Sequence, residues 1–306
     1  SLGAGYATDT GIQARANWDN RLLNSRGHKI RTALLVAELE RSGSIAYTVP
    51  LEDARHQNLL SRLSFQRKIW DDTDTTLFTA GLTRAYMGPK YNYDTSLVYR
   101  TEDYTIGSTS DDSFLLMPTV NMGFAFANDL LKTKHGLKVS TGILGAIDGL
   151  GSDTDFLQLT LDGKLIFSPI QTFRIISRGS LGTTWVDSID SIPPSLRFYA
   201  GGDSSIRGYK YKSIGSVDSS GTVVGGTHLV VGSIEVEKSI SELWGIAAFW
   251  DVGSATDDLD LDFYQGAGAG LRVRLPFGQI RLDFASAITE TDAPWRVHLT
   301  VGGDLL

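Results

Sequence analysis

Alternation with a period of two constrains this chain more than any other feature. Leu157, Leu159, Leu161, Leu165 and Phe167 fall on one face of an extended segment, and Gln158, Thr160, Asp162 and Lys164 on the other. Leu271, Val273 and Leu275 alternate with Arg272 and Arg274; Ile280, Leu282 and Phe284 with Arg281 and Asp283; Val297, Leu299 and Val301 with Arg296, His298 and Thr300. Successive side chains of a strand point to opposite faces, so these are strands with one apolar and one polar face. Candidate strands lie near 2–8, 11–18, 29–39, 44–49, 57–68, 76–87, 94–106, 113–127, 137–147, 155–167, 172–185, 227–238, 244–253, 265–275, 279–288 and 295–304.

Taken singly, each segment reads as the half-buried strand of a soluble sandwich. Several lengths fall near the ~9–11 residues that cross a bilayer as a tilted strand. No helix pattern is available to cover the apolar faces, and large charged residues on the opposite face suit a wet lumen better than a packed core. Together these point to an all-β fold: a transmembrane antiparallel β-barrel of about 16 strands. No run approaches the ~18 apolar residues of a membrane helix, and a barrel's alternation averages its hydropathy towards zero.

The connections divide into two classes. Ser168–Gln171 and Pro276–Gly278 read as short turns. Asp71–Thr75, Ser108–Asp112, Ser152–Asp155 and Asp257–Asp262 read as longer acidic loops. Short periplasmic turns and longer extracellular loops are the barrel pattern. One connection, 186–226, exceeds all others, and a loop of that length is functional or disordered.

The chain of 306 residues has no Cys and a net charge of −7. It therefore forms no disulfide and no thiolate metal site, and no basic stripe suits it to nucleic acid. No basic n-region or apolar h-region opens the sequence, so 1–306 reads as a mature or excised single barrel domain. Its five histidines lack ligand spacing. Ser180, in Gly179-Ser-Leu-Gly182, is not in a nucleophile-elbow spacing, and nothing pairs a Ser with a His, so the chain does not read as an enzyme. The Asp257–Asp262 cluster lacks the Gly and Glu of a calcium loop. No cofactor or metal is expected.

The long connection carries Phe198-Tyr-Ala-Gly-Gly-Asp-Ser-Ser-Ile-Arg-Gly-Tyr-Lys-Tyr211. Gly201, Gly202 and Gly208 permit turns that a Cβ resists. Arg207 is a permanent cation with five donors. In Ala248-Phe-Trp-Asp-Val-Gly253, Ile246, Ala248, Trp250 and Val252 share one face, which turns Asp251 towards the lumen; Glu235 turns inward between Ile234 and Val236. Gly266, Gly268 and Gly270 line one face of a strand, in a spacing unlike a nucleotide loop, and leave room for another backbone to approach. Gly3 and Gly5 in the first strand, and Gly302 and Gly303 in the last, weaken both closing edges.

The run Ile192-Pro-Pro-Ser-Leu-Arg-Phe-Tyr-Ala-Gly-Gly-Asp, with Ser-Ile-Arg-Gly-Tyr-Lys-Tyr-Lys-Ser-Ile214, resembles the outer-membrane assembly factor superfamily of BamA, TamA and the two-partner secretion transporters, and within it the TamA branch. Trp18–Gly27 is similar to the family's first turn between strand pairs, and Gly278–Ala285 to its penultimate strand. The resemblance implies a loop folded into the lumen, with Arg207, Gly208 and Tyr209 anchored by Asp251 and Glu235 and docked over the three strand glycines. It implies the Gram-negative outer membrane and periplasmic POTRA domains that this sequence does not contain. It also implies insertion of autotransporters or other outer-membrane proteins through a first/last strand seam. The implied partners are a TamB-like inner-membrane-anchored protein, client barrels and outer-membrane lipids. A secretion transporter or a passive porin channel is the alternative.

Overall fold

A computed structural model of the chain describes residues 1–7, 11–129, 133–258, 261–275 and 278–302. Eleven strands come first: β1 (Leu2–Ala7), β2 (Gly11–Asn20), β3 (Lys29–Ala37), β4 (Glu40–Pro50), β5 (Gln57–Trp70), β6 (Thr73–Met87), β7 (Tyr91–Ile106), β8 (Thr109–Ala127), β9 (His135–Ala146), β10 (Phe156–Ile170) and β11 (Phe173–Trp185). A long connection holds a single 3-10 turn (Ile189–Ser191) and two short strands, β12 (Ser216–Val217) and β13 (Val223–Gly225). Five strands complete the chain: β14 (His228–Ser239), β15 (Trp244–Thr256), β16 (Tyr264–Leu275), β17 (Gly278–Ala287) and β18 (Trp295–Gly302). All except β12 and β13 form one 16-stranded antiparallel sheet in sequence order, so each expected strand corresponds to an observed one.

Two of the expected long loops are tight hairpins. Asp71 and Asp72 alone join β5 to β6, with Asp71 at a positive φ of 47°. Gly107 and Ser108 join β7 to β8, with Gly107 at a φ of 56°. Asp74 and Thr109–Asp112 lie inside strands, because β6 and β8 run on to 15 and 19 residues. At the opposite end, β10 continues through Ser168–Ile170 past an irregularity in register, which leaves Gln171-Thr172 as the turn. The expected asymmetry of loop lengths is thus replaced, in this part of the sheet, by asymmetry of strand length. Pro276 and Phe277 of the other expected short turn lie outside the described residues.

The outer face is an apolar belt. Leu82, Leu97, Leu161, Leu165, Ile234, Leu271 and Val297 all project outward and are exposed. Tyr86 stacks on Tyr91 and Tyr93 at ring-centroid distances of 5.3 and 5.1 Å near one edge. Phe65 and Phe78 pair across β5 and β6, with Phe114 at a matching height, near the other edge. Such aromatic rows mark membrane interfaces. From Tyr93 to Thr101, the partner of Phe114, the strand rises about 26 Å at ~3.3 Å per residue, or about 20 Å of membrane height at a tilt near 40°. Above the upper row the outer face becomes polar: Arg67 Nη2 and Asp74 Oδ2 pair at 2.7 Å.

The sheet curls until Cα atoms of β1 and β18 approach within 8 Å. Among the described residues no ladder joins these two strands. Among the described residues they span 6 and 8 positions.

The connection between β11 and β14 folds into the lumen. Bridges Phe198↔Gly226 and Ala200↔Ile214 close it on itself. Ala200, Ile206, Tyr209 and Ile214 pack against Val231, Ala255 and Ala287 on one wall. Ile192 and Leu196 pack against Leu115, Met117, Ala146 and Phe156 on the other. Loop and wall side chains together form the apolar core of the lumen.

Candidate functional site: the lumen loop and its carboxylate wall

Gly201, Gly202 and Gly208 have φ of 97°, 98° and 97°, a region open to glycine and closed to most side chains. At Gly208 a Cβ would also lie 2.7 Å from the backbone of Ser286 and Ala287 on β17. The turn they make drives Ile206 into the apolar cluster and turns Arg207 towards β14–β17.

Arg207 Nε and Nη2 donate to the two carboxylate oxygens of Asp251 at 2.8 and 3.0 Å, and its backbone N–H donates to Asp251 Oδ2 at 3.1 Å. Its Nη1 donates to Glu235 Oε2 at 2.7 Å and Asp283 Oδ2 at 3.1 Å. The guanidinium lies 3.4 Å from the centroid of the Phe249 ring. Three carboxylates, a ring face and a bidentate fork fix both position and orientation. Burial opposes the charge on Arg207, but Asp251, Glu235 and Asp283 outweigh it and hold its pKa above the ordinary range.

The wall is itself paired. Arg272 Nη2 donates to Glu235 Oε1 at 2.7 Å, its Nη1 to Asp283 Oδ1 at 2.5 Å and its Nε to Glu237 Oε1 at 3.2 Å. Arg174 donates to Glu237 Oε2 at 2.6 Å, and Ser233 Oγ to Asp251 Oδ1 at 2.6 Å. Arg272 and Asp251 are wholly buried. These inner-face charges sit in a closed network, not in the open water that the sequence suggested. Buried charges persist only when paired and hydrogen-bonded.

The glycines of β16 divide in role. A Cβ on Gly266 would meet Arg207 O at 1.9 Å, so this position admits the loop backbone. On Gly268 it would meet Phe284 O at 2.1 Å and Phe249 Cζ at 2.6 Å; on Gly270, Asp283 Oδ1 at 1.9 Å and Arg272 Nη1 at 2.7 Å. Gly268 therefore clears the Phe249 ring, and Gly270 the Asp283–Arg272 pair. The expected loop docking at those two positions gives way to strand side chains that themselves hold Arg207. Tyr209 donates to Gln265 O at 3.4 Å and meets Tyr264 edge-on.

Gly3 has open space where a Cβ would stand. Gly5 of β1 pairs with Gln13 of β2, and Gly302, at the end of β18, with Gln279 of β17; Gly303 lies outside the described residues. The sequence did not mark out Asp283, Phe249, Ser233 and His298 as partners of the loop, nor Arg272 as the partner of its carboxylates. Inward parity marked each of them, but parity does not say which inward residues meet at one height. Among the described residues no His, Cys, Asp or Glu group is arranged to hold a metal.

The Omp85 superfamily domain matches residues 23–304. The chain belongs to the Omp85 superfamily, and resides in the Gram-negative outer membrane. The outer membrane protein assembly factor BamA of Nitratidesulfovibrio vulgaris is 26% identical over 149 residues, which are 46% of this chain and 19% of that protein. The chain thus spans about a fifth of that relative's length. The crystal structure of Haemophilus ducreyi BamA lacking POTRA domains 1–3 superposes with a TM-score of 0.85 at 14% identity, covering 99% of this chain and 69% of that one. CdiB of Acinetobacter baumannii gives 0.61 at 13% identity, covering 98% and 58%. CdiB of Escherichia coli gives 0.65 at 12% identity, covering 99% and 62%. At these identities the structural likenesses establish the fold: an Omp85-type barrel.

Proposed function

We propose that this Omp85 barrel is the membrane domain of an outer-membrane translocation and assembly factor of the TamA kind, inserting autotransporters or other outer-membrane barrels. The observation that carries the reading is that β1 and β18 stand side by side without a ladder among the described residues. An unpaired edge is a template for another strand, and β-strand addition gives affinity through main-chain hydrogen bonds. A client strand would pair there and leave laterally into lipid. No covalent chemistry is required. The TamB-like partner rests on the loop's resemblance to the TamA branch, and the client class on the superfamily.

The likeness to CdiB supports a second reading, export through the lumen as in a two-partner secretion transporter. Arg207 and its three carboxylates argue against an open pore, because they hold the loop across the lumen. Reconstitution of the full-length protein in liposomes separates the readings. Faster folding of an autotransporter barrel into the bilayer, with no added conductance, supports insertion. Delivery of a soluble substrate to the liposome interior, with client folding unchanged, contradicts it.

A further inference from the structure

We infer that His298 is a positioning residue that fastens the closing strand β18 to the lumen loop, so that the loop helps to hold β18 in place. His298 points inward from β18 and is buried. The backbone N–H of Gly208, next to Arg207, donates to His298 Nε2 at 3.1 Å. An accepting Nε2 carries no proton, so the neutral ring bears its proton on Nδ1. Nδ1 faces Asp203 Oδ1 at hydrogen-bond distance and donates to it. Both ring nitrogens are thus spent on one loop, at residues 203 and 208. A ring bonded on both sides has its tautomer and orientation fixed.

The placement gives this link its consequence. On one side β18 has its ladder to β17, from Ser286↔Trp295 to Gln279↔Gly302. On the other side no ladder reaches β1 among the described residues. His298 sits near the middle of β18, opposite Asp283, which also binds Arg207. The same loop continues to Lys210, which pairs with Asp71, and to Tyr211, which accepts from Lys68 Nζ at 2.7 Å. The run from Asp203 to Tyr211 therefore ties β18 to β5 and the β5–β6 hairpin. Movement of β18 and release of the Arg207 turn become one event. The link is the same whether the barrel inserts or secretes.

The test is hydrogen exchange, read by mass spectrometry on the 306-residue chain in lipid nanodiscs, with heat-modifiable electrophoretic mobility as the check on folding. His298→Ala should accelerate exchange both at residues 206–211 and along β18, by roughly fivefold to tenfold for the loss of one or two hydrogen bonds. The β10–β11 ladder should be unchanged. His298→Gln, whose amide can accept from Gly208 and donate to Asp203, should restore most of the protection at both places. Asp203→Ala, which alters no strand residue, should reproduce the two-sided loss, and it decides the matter if His298→Ala does not fold. Acceleration confined to the loop or to β18, or a Gln variant indistinguishable from Ala, would overturn the assignment.

Discussion

Arg207 and Asp251 form a two-point ion pair, Nε to Oδ2 at 2.8 Å and Nη2 to Oδ1 at 3.0 Å, with the carboxylate wholly buried beneath the loop. The pair joins a residue of the longest connection to the middle of β15, 44 positions away. It sets the height and rotation at which the loop rests in the lumen.

Removing Arg207 should release the loop and leave the sheet folded. Arg207→Ala strands Asp251 and one side of Glu235 and Asp283 in a buried site. Breaking such a pair typically costs about 3–5 kcal/mol. The variant should keep a folded barrel's electrophoretic mobility and lose protease resistance within residues 186–227. Arg207→Lys should recover only part of that resistance, because a single ammonium cannot replace the bidentate fork. Wild-type resistance in Arg207→Ala would remove the anchoring role.

The glycines of β16 should give two phenotypes. Gly266→Ala places a Cβ 1.9 Å from Arg207 O and should expel the loop while sparing the ladders. Gly268→Ala collides with Phe284 O and the Phe249 ring, so it should disturb β15–β17 themselves and lower the thermal unfolding temperature. Exchange profiles of the two variants check this; identical profiles would contradict the separation.

Much of this was legible in the sequence where one face is lipid. Leu157–Phe167 and Ile280–Phe284 announce their strands because apolar residues must alternate with polar ones there. The inward turn of Asp251 followed from Ile246, Ala248, Trp250 and Val252 on the opposite face. The hairpins at Asp71 and Gly107 were not legible, because above the membrane the outer face is polar too. There Thr73 and Thr75 point inward and are buried while Asp74 pairs outside with Arg67, so an acidic strand reads as a loop. Nor could alternation show that Gly268 faces Phe249. That depends on register, which distant turns set.

The loop's grip on β5 should depend on pH through Lys212. This residue holds a left-handed backbone, φ 55°, with its ammonium 3.7 Å from the Trp70 ring centroid and 4.6 Å from that of Tyr199. Burial, then neighbouring Lys68, push its pKa down from 10.5 to about 7, against an opposing pull from Glu102. A Lys whose pKa is lower in the docked state binds its proton more weakly there than when released. Docking should therefore strengthen as pH rises from about 7 towards 10.5 and level off below about 7. Protease resistance of residues 205–215, followed across that range, checks it. Lys212→Met should flatten the profile; an unchanged slope in that variant would assign the dependence to another group.

The central claim is that the edge between β1 and β18 opens to receive a client strand. These 306 residues contain no Cys, so an introduced pair meets no competing thiol within the barrel. Antiparallel neighbours lie ~4.5–5.5 Å apart, within disulfide reach. The decisive measurement scans Cys pairs between residues 2–7 and 297–302 in the full-length protein, confirms crosslinking, and compares client insertion oxidised and reduced. The crosslinked barrel should be folded, fail to insert clients and recover on reduction. Full insertion by a demonstrably crosslinked barrel would contradict it.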